Sequence, residues 1–219
     1  MKHVIRTRLK GLIVMSLLIA NSHAAETLRA PTPADLDFIA QDWLITELPQ
    51  RAKVYFDAEQ KEIVMANGLI SRHWRTEPNG ACVAFENLMS GTSMLRAVRP
   101  EAKVTLDGRE FAVGGLTGQP NHAFLLPEWV DEMVAQRDSM KLVSYKTGPI
   151  EPRMAWKRVR HHAPDAEWPP KGVHLRMDYR KPDASALADG KVLPSDAGRE
   201  ALYTVTFDGL TSLPPGWLV

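Results

Sequence analysis

Apolar and polar residues alternate along much of the chain after position 52, with the period of two that is typical of a half-buried β-strand. Val54 and Phe56 follow this pattern, and so do Ile63 and Met65. The polar segment Asp57–Lys61 separates the two runs. Two short alternating runs joined by a polar turn predict a β-hairpin.

Turn dipeptides divide the rest of the chain into further short strands. Asn67-Gly68 and Asp107-Gly108 favour tight hairpin turns, because glycine adopts positive φ without steric cost. The strands predicted around and beyond these turns are Leu69–Arg75, Cys82–Phe85, Lys103–Leu106, Glu110–Val113, Val173–Tyr179 and Tyr203–Phe207. Many short strands without alternating helices predict an all-β fold, a large antiparallel β-sandwich over residues 51–219.

Two segments depart from the alternation and predict short helices. In the lead-in segment, residues 25–50, apolar residues recur at helical spacing from Leu36 to Trp43, so we expect a short helix that packs on the main domain. Pro127 followed by Glu128–Arg137 predicts a second helix with proline in its first turn. The apolar side of this second helix is expected to consist of Val130, Met133 and Val134.

The first 24 residues have the three regions of a secretory signal peptide. A basic start is followed by the apolar segment Gly11–Ala20 and by the small-residue pattern Ser22-His23-Ala24. Ten residues are too few to span a membrane as a helix, which needs about 20. We therefore expect cleavage after Ala24, a periplasmic or secreted protein, and no membrane attachment after cleavage.

The charge and cysteine content of the chain exclude some kinds of binding partner and cross-link. Removal of the signal peptide leaves 23 basic and 26 acidic residues, a formal charge of −3. A slightly acidic protein is not expected to bind nucleic acid, which selects for basic surfaces. The single cysteine, Cys82, excludes an intramolecular disulfide and is expected to lie in the core.

Aromatic and basic residues concentrate in one stretch, Thr147–Gly172, which contains five prolines and is predicted to be a long ordered loop without a strand. Indole rings stack on the apolar faces of sugars, and cations or imidazoles hydrogen-bond to sugar hydroxyls. The predicted carbohydrate-binding residues are Trp156, Arg160, His161 and Trp168, with Trp129 as a further candidate. Two alternatives remain: the tryptophans fasten the loop to the sheet, or they form a domain–domain contact.

Other chemistry has weaker support in the sequence. His161-His162 with Asp165 lacks the further ligands that a zinc site needs, so no metal is expected. No phosphate loop, dinucleotide motif or nucleophile elbow occurs, and no cofactor is expected. Carboxylates that would suit glycoside hydrolysis are present, but nothing in the sequence brings two of them together. These carboxylates are Glu101, Asp131, Glu132, Glu151 and Asp178.

Several runs between Asp42 and Tyr179 form an ordered series of motifs. They are Asn67–Arg72, Asn87–Gly91, Leu95–Ala102, Val113–Pro120, Pro127–Trp129 and Trp168–Leu175. The series resembles the N-terminal region of large secreted bacterial proteins related to α-galactosidase-type glycoside hydrolases. The resemblance implies a β-supersandwich, which in those enzymes precedes the (β/α)₈ barrel that carries the catalytic acids.

A barrel requires about 250 residues, whereas Tyr203–Gly209 resembles a late strand of the sandwich and is followed by only a short tail. The resemblance therefore implies no catalytic residue in this chain. We expect an exported, non-catalytic, carbohydrate-associated accessory domain that binds a glycan or polysaccharide or supports a glycoside hydrolase. The alternatives are a truncated fragment that docks on a catalytic domain and, less favoured, a self-contained glycosidase.

Overall fold

The computed structural model describes residues 28–37, 42–43, 45–46, 49, 51–106, 108–155, 168–182 and 202–210, with side chains of the last range described only for Val205–Phe207. The predicted signal peptide and part of the lead-in segment lie outside these residues. The described chain folds into antiparallel sheets joined by short turns, with two short helices. The fold is therefore all-β, as predicted.

The largest sheet has five antiparallel strands in chain order. They are β1 (Lys53–Asp57), β2 (Glu62–Ala66), β3 (Ile70–Arg75), β4 (Ala81–Asn87) and β5 (Thr92–Ser93). The predicted turn between β1 and β2 is confirmed, and the Asp57 carboxylate accepts hydrogen bonds from two backbone N–H groups within it. The Asn67-Gly68 turn is also confirmed: the Asn67 side-chain oxygen accepts hydrogen bonds from the N–H groups of Leu69 and Ile70, and Gly68 has φ +86°.

Three smaller sheets complete the described fold. The predicted hairpin β6 (Ala102–Leu106) and β7 (Arg109–Val113) forms one, and the short pair β8 (Leu116–Thr117) and β9 (Val134–Ala135) forms another. The third contains β10 (Lys141–Pro149), β11 (Gly172–Arg180) and β12 (Leu202–Leu210), with β11 in the centre. Strands β11 and β12 were predicted from the alternation of apolar and polar residues in Val173–Tyr179 and Tyr203–Phe207.

The predicted loop Thr147–Gly172 is shorter than expected. Strand β10 continues to Pro149, which lies opposite Val173, so the expectation that no proline of this stretch lies in a strand is wrong. Proline is tolerated here because β10 is an edge strand of its sheet and Pro149 is its last residue. The connection between β10 and β11 therefore begins at Ile150.

Both described helices are short. Helix α1 covers Pro33–Leu36, and residues 38–41 of the helix predicted from Leu36 to Trp43 lie outside the described residues. Helix α2 covers Pro127–Glu132, with proline in its first turn as predicted, and ends before the predicted Arg137. Val130 and Met133 are buried, but Val134 is 59% exposed, so its predicted place on the apolar side is wrong. The reason is that Val134–Ala135 pairs with β8, and this strand pairing takes the chain out of the helix.

The main core receives side chains from the five-stranded sheet, from β7 of the β6–β7 hairpin and from β11 of the three-stranded sheet. Its buried members are Val54, Ile63, Met65, Trp74, Cys82, Phe111, Val113, Met140, Leu175, Met177 and Tyr179. The Trp74 ring of β3 lies 4.7 Å from the Phe207 ring of β12, centroid to centroid. Burial of this apolar surface is the main favourable contribution to folding. Cys82 is buried in this cluster, as predicted.

The lead-in segment packs on the outer face of the five-stranded sheet. Leu36 contacts the small cluster of Tyr55, Val64 and Ala66. The Asp35 carboxylate receives two hydrogen bonds of 2.8 Å from the Arg29 guanidinium and one of 2.9 Å from the Tyr55 hydroxyl. The hydrogen bonds from Arg29 are the main reason that the pKa of Asp35 lies well below its usual range. Asp35 therefore connects the lead-in segment to β1.

We expect Asp35→Asn to lower the free energy of unfolding by about 1 kcal/mol at pH 7. A carboxylate with a lowered pKa in the folded state stabilises fully above its unfolded pKa of about 3.9. That contribution is lost as the pH falls through the lower folded pKa. Urea unfolding at several pH values should therefore show the difference between Asp35→Asn and wild type shrinking in acid. Asp37→Asn, an exposed neighbour, is the control, and an equal effect of both variants would contradict the assignment.

Candidate functional site

The candidate site begins with a row of side chains across three neighbouring strands. Arg72 of β3 lies opposite Met65 of β2 and opposite Phe85 of β4. Residues directly opposite one another in antiparallel strands point to the same face of the sheet. Trp74 lies on that face as well, because alternate residues of a strand share a side. The row therefore places one cation among apolar and aromatic side chains.

A β-bulge in β4 is necessary for this arrangement. The register between β3 and β4 shifts at His73 and Trp74, so that Trp74 lies opposite Cys82 while Arg72 lies opposite Phe85. Cys82 and Phe85 are three residues apart, and an unbroken strand would point them to opposite faces. The extra residue, Val83, packs instead in a separate cluster on the other side. The bulge thus brings Phe85 to the same face as the core residue Cys82.

A cleft of about 530 Å³ opens over this row. Its walls are mainly apolar and aromatic, and they carry a few polar groups from the sheet, from β12 and from the connection after β10. The lining residues are Met65, Ala66, Asn67, Ile70, Arg72, Trp74, Phe85, Arg153, Thr206 and Phe207. The volume falls within the range of about 300–1,000 Å³ that is typical of small-molecule sites.

Arg72 is the central group of the cleft. Its guanidinium carbon lies 4.8 Å from the ring centres of Trp74 and Phe207, within the range of cation–π interactions. Its Nη2 donates a 2.8 Å hydrogen bond to Glu101, and its Nε donates to the Cys82 sulfur at 3.3 Å. These contacts hold the guanidinium in one orientation, because both the rings and the hydrogen bonds restrict it.

The buried Glu101 forms an ion pair with Arg72. Its side chain is only 4% exposed, whereas that of Arg72 is 32% exposed. The second carboxylate oxygen of Glu101 accepts a 2.9 Å hydrogen bond from the Trp74 indole N–H. A buried carboxylate requires such partners, since an unpaired buried charge is costly. Glu101 therefore orients both Arg72 and Trp74.

The charges of the site follow from this packing. Burial opposes the positive charge of Arg72, but Cys82 and Glu101 outweigh that effect and keep the pKa of the guanidinium above its usual value. Burial is also the main reason that the pKa of the Cys82 thiol is raised. A protonated, buried thiol is a poor nucleophile. The site is therefore suited to binding a ligand through the fixed, positively charged guanidinium of Arg72. Cys82 contributes to packing.

The predicted aromatic loop meets the cleft at its first residues. Arg153 lines the cleft and donates a 3.0 Å hydrogen bond to the Thr206 hydroxyl of β12. The next residue, Met154, accepts a 3.1 Å hydrogen bond from the Trp168 indole through its backbone carbonyl. Trp168 is 39% exposed. The two ends of the predicted loop are thus joined beside the cleft.

The other predicted residues have different outcomes. Trp129 lies on α2, half-buried, with its ring centre 5.2 Å from that of Phe124, and it packs against the Val130 cluster. Neither Trp129 nor Trp168 lines the cleft. Trp156, Arg160 and His161 lie outside the described residues, so their role stays a prediction. The described part of the predicted loop therefore contributes Arg153 to a cleft that the sequence analysis did not predict.

The candidate carboxylates are mostly engaged in ion pairs. Glu101 pairs with Arg72, Asp178 with Arg176 at 2.8 Å, and the exposed Asp131 with Arg75 at 2.9 Å. No described hydrogen bond joins two of the five carboxylates. The described residues also contain no group of three or more histidine, cysteine or acidic side chains placed to hold a metal ion. His161, His162 and Asp165 lie outside that part of the chain.

Sequence reasoning missed Arg72, Trp74, Phe85, Arg153, Thr206 and Phe207 as a group. One signal was present: Arg72 falls between Ile70 and Trp74 at the apolar positions of a predicted strand. An arginine on an apolar face needs a buried acid or a ligand as partner. The acid is Glu101, which is 29 residues away in the sequence, and local patterns do not predict such a pairing.

The fold and the cleft define an all-β protein with a binding cleft lined by aromatic and arginine side chains. Comparisons with protein-family models, with curated proteins and with solved structures found no match. Among the helices that the structure describes, none is long and apolar enough to cross a membrane. What the protein binds must therefore be argued from the cleft itself.

Proposed function

We propose that this protein is an exported, non-catalytic, carbohydrate-associated accessory domain, and that the cleft over Arg72 is its glycan-binding site. The observation that carries the proposal is the fixed Arg72 guanidinium among the rings of Trp74, Phe85 and Phe207 in an open cleft. The proposal agrees with the resemblance to the N-terminal region of glycoside hydrolase-related proteins. The finer β-supersandwich architecture and the cleaved signal peptide are parts of the same proposal.

The chemistry of the cleft suits a sugar ring. A sugar has apolar C–H faces and a rim of hydroxyls, so it needs apolar walls together with hydrogen-bonding groups at the edges. The half-buried ring of Phe85 and the apolar Ile70 supply such walls, and Ile70 is 40% exposed. Arg72 and Thr206, which both line the cleft, supply polar groups. A water-excluding wall strengthens the hydrogen bonds made beside it.

The Phe85→Leu variant tests the site. Leucine keeps apolar volume but removes the flat aromatic face, so we expect glycan affinity to fall about three- to tenfold. The purified protein would first be screened on a glycan array, and the dissociation constant for the best hit would be measured by calorimetry. Phe124→Leu is the matched control, because Phe124 is a 48% exposed phenylalanine outside the cleft.

A thermal melt of each variant separates binding from folding. If Phe85→Leu melts cooperatively and binds the glycan as tightly as wild type, the cleft is not the binding site. If the folded wild-type protein binds no glycan on the array, the carbohydrate-binding proposal is wrong. The alternative that the protein docks on a catalytic domain would then be preferred.

That second candidate function has one observation in its favour. Within the described sheet, β12 pairs only with β11 and runs for nine residues along the edge. A long edge strand offers backbone groups to a partner strand unless it is covered. A catalytic domain of a glycoside hydrolase is the partner that the sequence resemblance implies.

A further inference from the structure

We propose that the cleft selects glycans whose sugar rings carry an acetyl group, attached as an amide or as an ester. This inference rests on the proposed glycan-binding function and adds the chemical class of the ligand. An acetyl group joins one hydrogen-bond acceptor, its carbonyl oxygen, to one apolar methyl group. The described lining of the cleft offers the complement of both, because side-chain donors lie beside apolar walls.

Arg72 supplies the donor for the carbonyl oxygen. Its Nε donates to Cys82 and its Nη2 to Glu101, and among the described residues its Nη1 has no hydrogen-bond partner. The side chain is 32% exposed and lines the cleft. Because the buried Glu101 balances the charge of Arg72, the pair has no net charge with which to attract an anion. A neutral carbonyl oxygen fits this donor, and the hydrogen bond is strengthened because the donor is ionised.

The described residues that line the cleft contain no carboxylate, and their few side-chain acceptors are mostly occupied. The Asn67 side-chain oxygen accepts two hydrogen bonds, from the backbone N–H groups of Leu69 and Ile70. The Thr206 hydroxyl accepts one from Arg153, which leaves its own hydrogen to be donated. Sugar hydroxyls carry hydrogens that need acceptors, whereas an acetyl carbonyl only accepts. The cleft therefore suits the carbonyl better than an additional hydroxyl.

Apolar walls for the methyl group adjoin the donor. Phe85 of β4 lies directly opposite Arg72 of β3, and the guanidinium carbon is 5.9 Å from the centre of the Phe85 ring. Ile70 shares a face of β3 with Arg72, because residues two apart in a strand point to the same side. It lines the cleft and is 40% exposed, so a ligand methyl group that covers it removes apolar surface from water. One small group can therefore contact the Arg72 donor and an apolar wall together.

Isothermal titration calorimetry with matched probes tests this inference. Fully N-acetylated chitotriose is compared with cellotriose, and N-acetylgalactosamine with galactose, since each pair exchanges an acetamide for a hydroxyl. Acetylated xylan is compared with the same xylan after alkaline removal of its acetyl esters. We expect at least one acetylated probe to bind about tenfold more tightly than its partner. A preference confined to the first two pairs identifies the amide, and one confined to xylan identifies the ester. An acetylated array hit outside these pairs is measured against its own deacetylated form.

Two variants locate the selectivity. Arg72→Lys keeps a cation beside Glu101 but lacks the planar fork of donors, so the preference for the acetylated probe should fall about five- to tenfold. Ile70→Thr removes apolar surface from an exposed position, so the preference should fall about threefold while the melt stays close to that of wild type. Val143→Thr is the matched control, because Val143 is a 43% exposed residue of β10 that does not line the cleft. It should keep the wild-type preference.

The outcomes separate this inference from the proposed function. Equal or weaker binding of the acetylated probe in every pair, or array hits that all lack acetyl groups, would overturn acetyl selectivity and leave glycan binding intact. Equal preferences in Ile70→Thr and Val143→Thr would overturn the location, even if Arg72→Lys did not melt cooperatively. An absence of binding to every probe and to the whole glycan array would overturn both proposals.

Discussion

The Glu101→Ala variant is expected to lose about 3 kcal/mol of unfolding free energy. Removal of the carboxylate leaves the Arg72 guanidinium partly buried without its counter-ion and leaves the Trp74 indole N–H without its acceptor. Loss of one partner from a fully buried pair typically costs about 3–5 kcal/mol. The lower end applies here because the Arg72 side chain is 32% exposed and water can reach part of it.

Urea unfolding measures this effect, with Glu110→Ala as the matched control. Glu110 also pairs with a cation, Lys103, at 2.7 Å, but both side chains are more than half exposed. Exposed pairs contribute about 0–1 kcal/mol, so the control should remain close to wild type. The Arg72→Met substitution should cost less in the Glu101→Ala background than in wild type. Equal losses for Glu101→Ala and Glu110→Ala would contradict the assigned role of the buried pair.

The same variant bears on the cleft. Without Glu101 the Arg72 guanidinium loses the hydrogen bond that fixes its orientation. Glycan affinity should therefore fall even if the protein remains folded. A conservative replacement, Glu101→Gln, keeps an oxygen acceptor for Trp74 but removes the charge. We expect it to cost less stability than Glu101→Ala. Glu101 is thus a positioning residue for the proposed binding site.

The Gly114→Ala variant is expected to be the other severely destabilised protein, with a loss of more than about 3 kcal/mol. Gly114 has φ +67°, and a Cβ there would overlap the backbone carbonyl oxygen of Gly80. That oxygen already accepts a 2.8 Å hydrogen bond from the Gly115 N–H. The Tyr179 ring closes the remaining space at 3.0 Å from the same Cβ position. Backbone on one side and a buried ring on the other cannot move aside easily.

Gly91→Ala separates the clash from the backbone conformation. Gly91 has nearly the same conformation, φ +65°, but a Cβ there would meet nothing within 4 Å. Its replacement should cost only about 1–2 kcal/mol, which is the penalty of the left-handed region for an alanine. Thermal melts of both variants give the comparison. Similar losses in the two proteins would mean that the contact between Gly80 and Gly114 does not constrain the fold.

Much of the β-structure could be predicted from the sequence because it depends on neighbouring residues. Alternating apolar residues on both sides of Asp57–Lys61 and of Asn67-Gly68 identified the strands, and the turn residues identified where they reverse. The helix that begins at Pro127 was predicted with its first turn correct. Its end was wrong, since pairing of Val134–Ala135 with β8 is a contact between distant segments.

The candidate site was not predictable in the same way. Phe85 faces Arg72 only because of the bulge at Val83, which shifts the register by one residue. Glu101 reaches Arg72 across 29 residues, and Phe207 reaches Trp74 from the last described strand. The aromatic content of the loop directed attention to Trp168, which lies beside the cleft and does not line it.

The sequence by itself determined the all-β class, the hairpins and the burial of Cys82, since alternation and turn chemistry act over a few residues. Only the tertiary structure decided which side chains share a cleft. That choice depends on strand register and on the packing of one sheet against another, in which residues far apart in the chain compete for the same buried space. Arg72 illustrates both. The strand that contains it could be predicted from the local alternation of residues, whereas its pairing with Glu101 is decided by the tertiary structure.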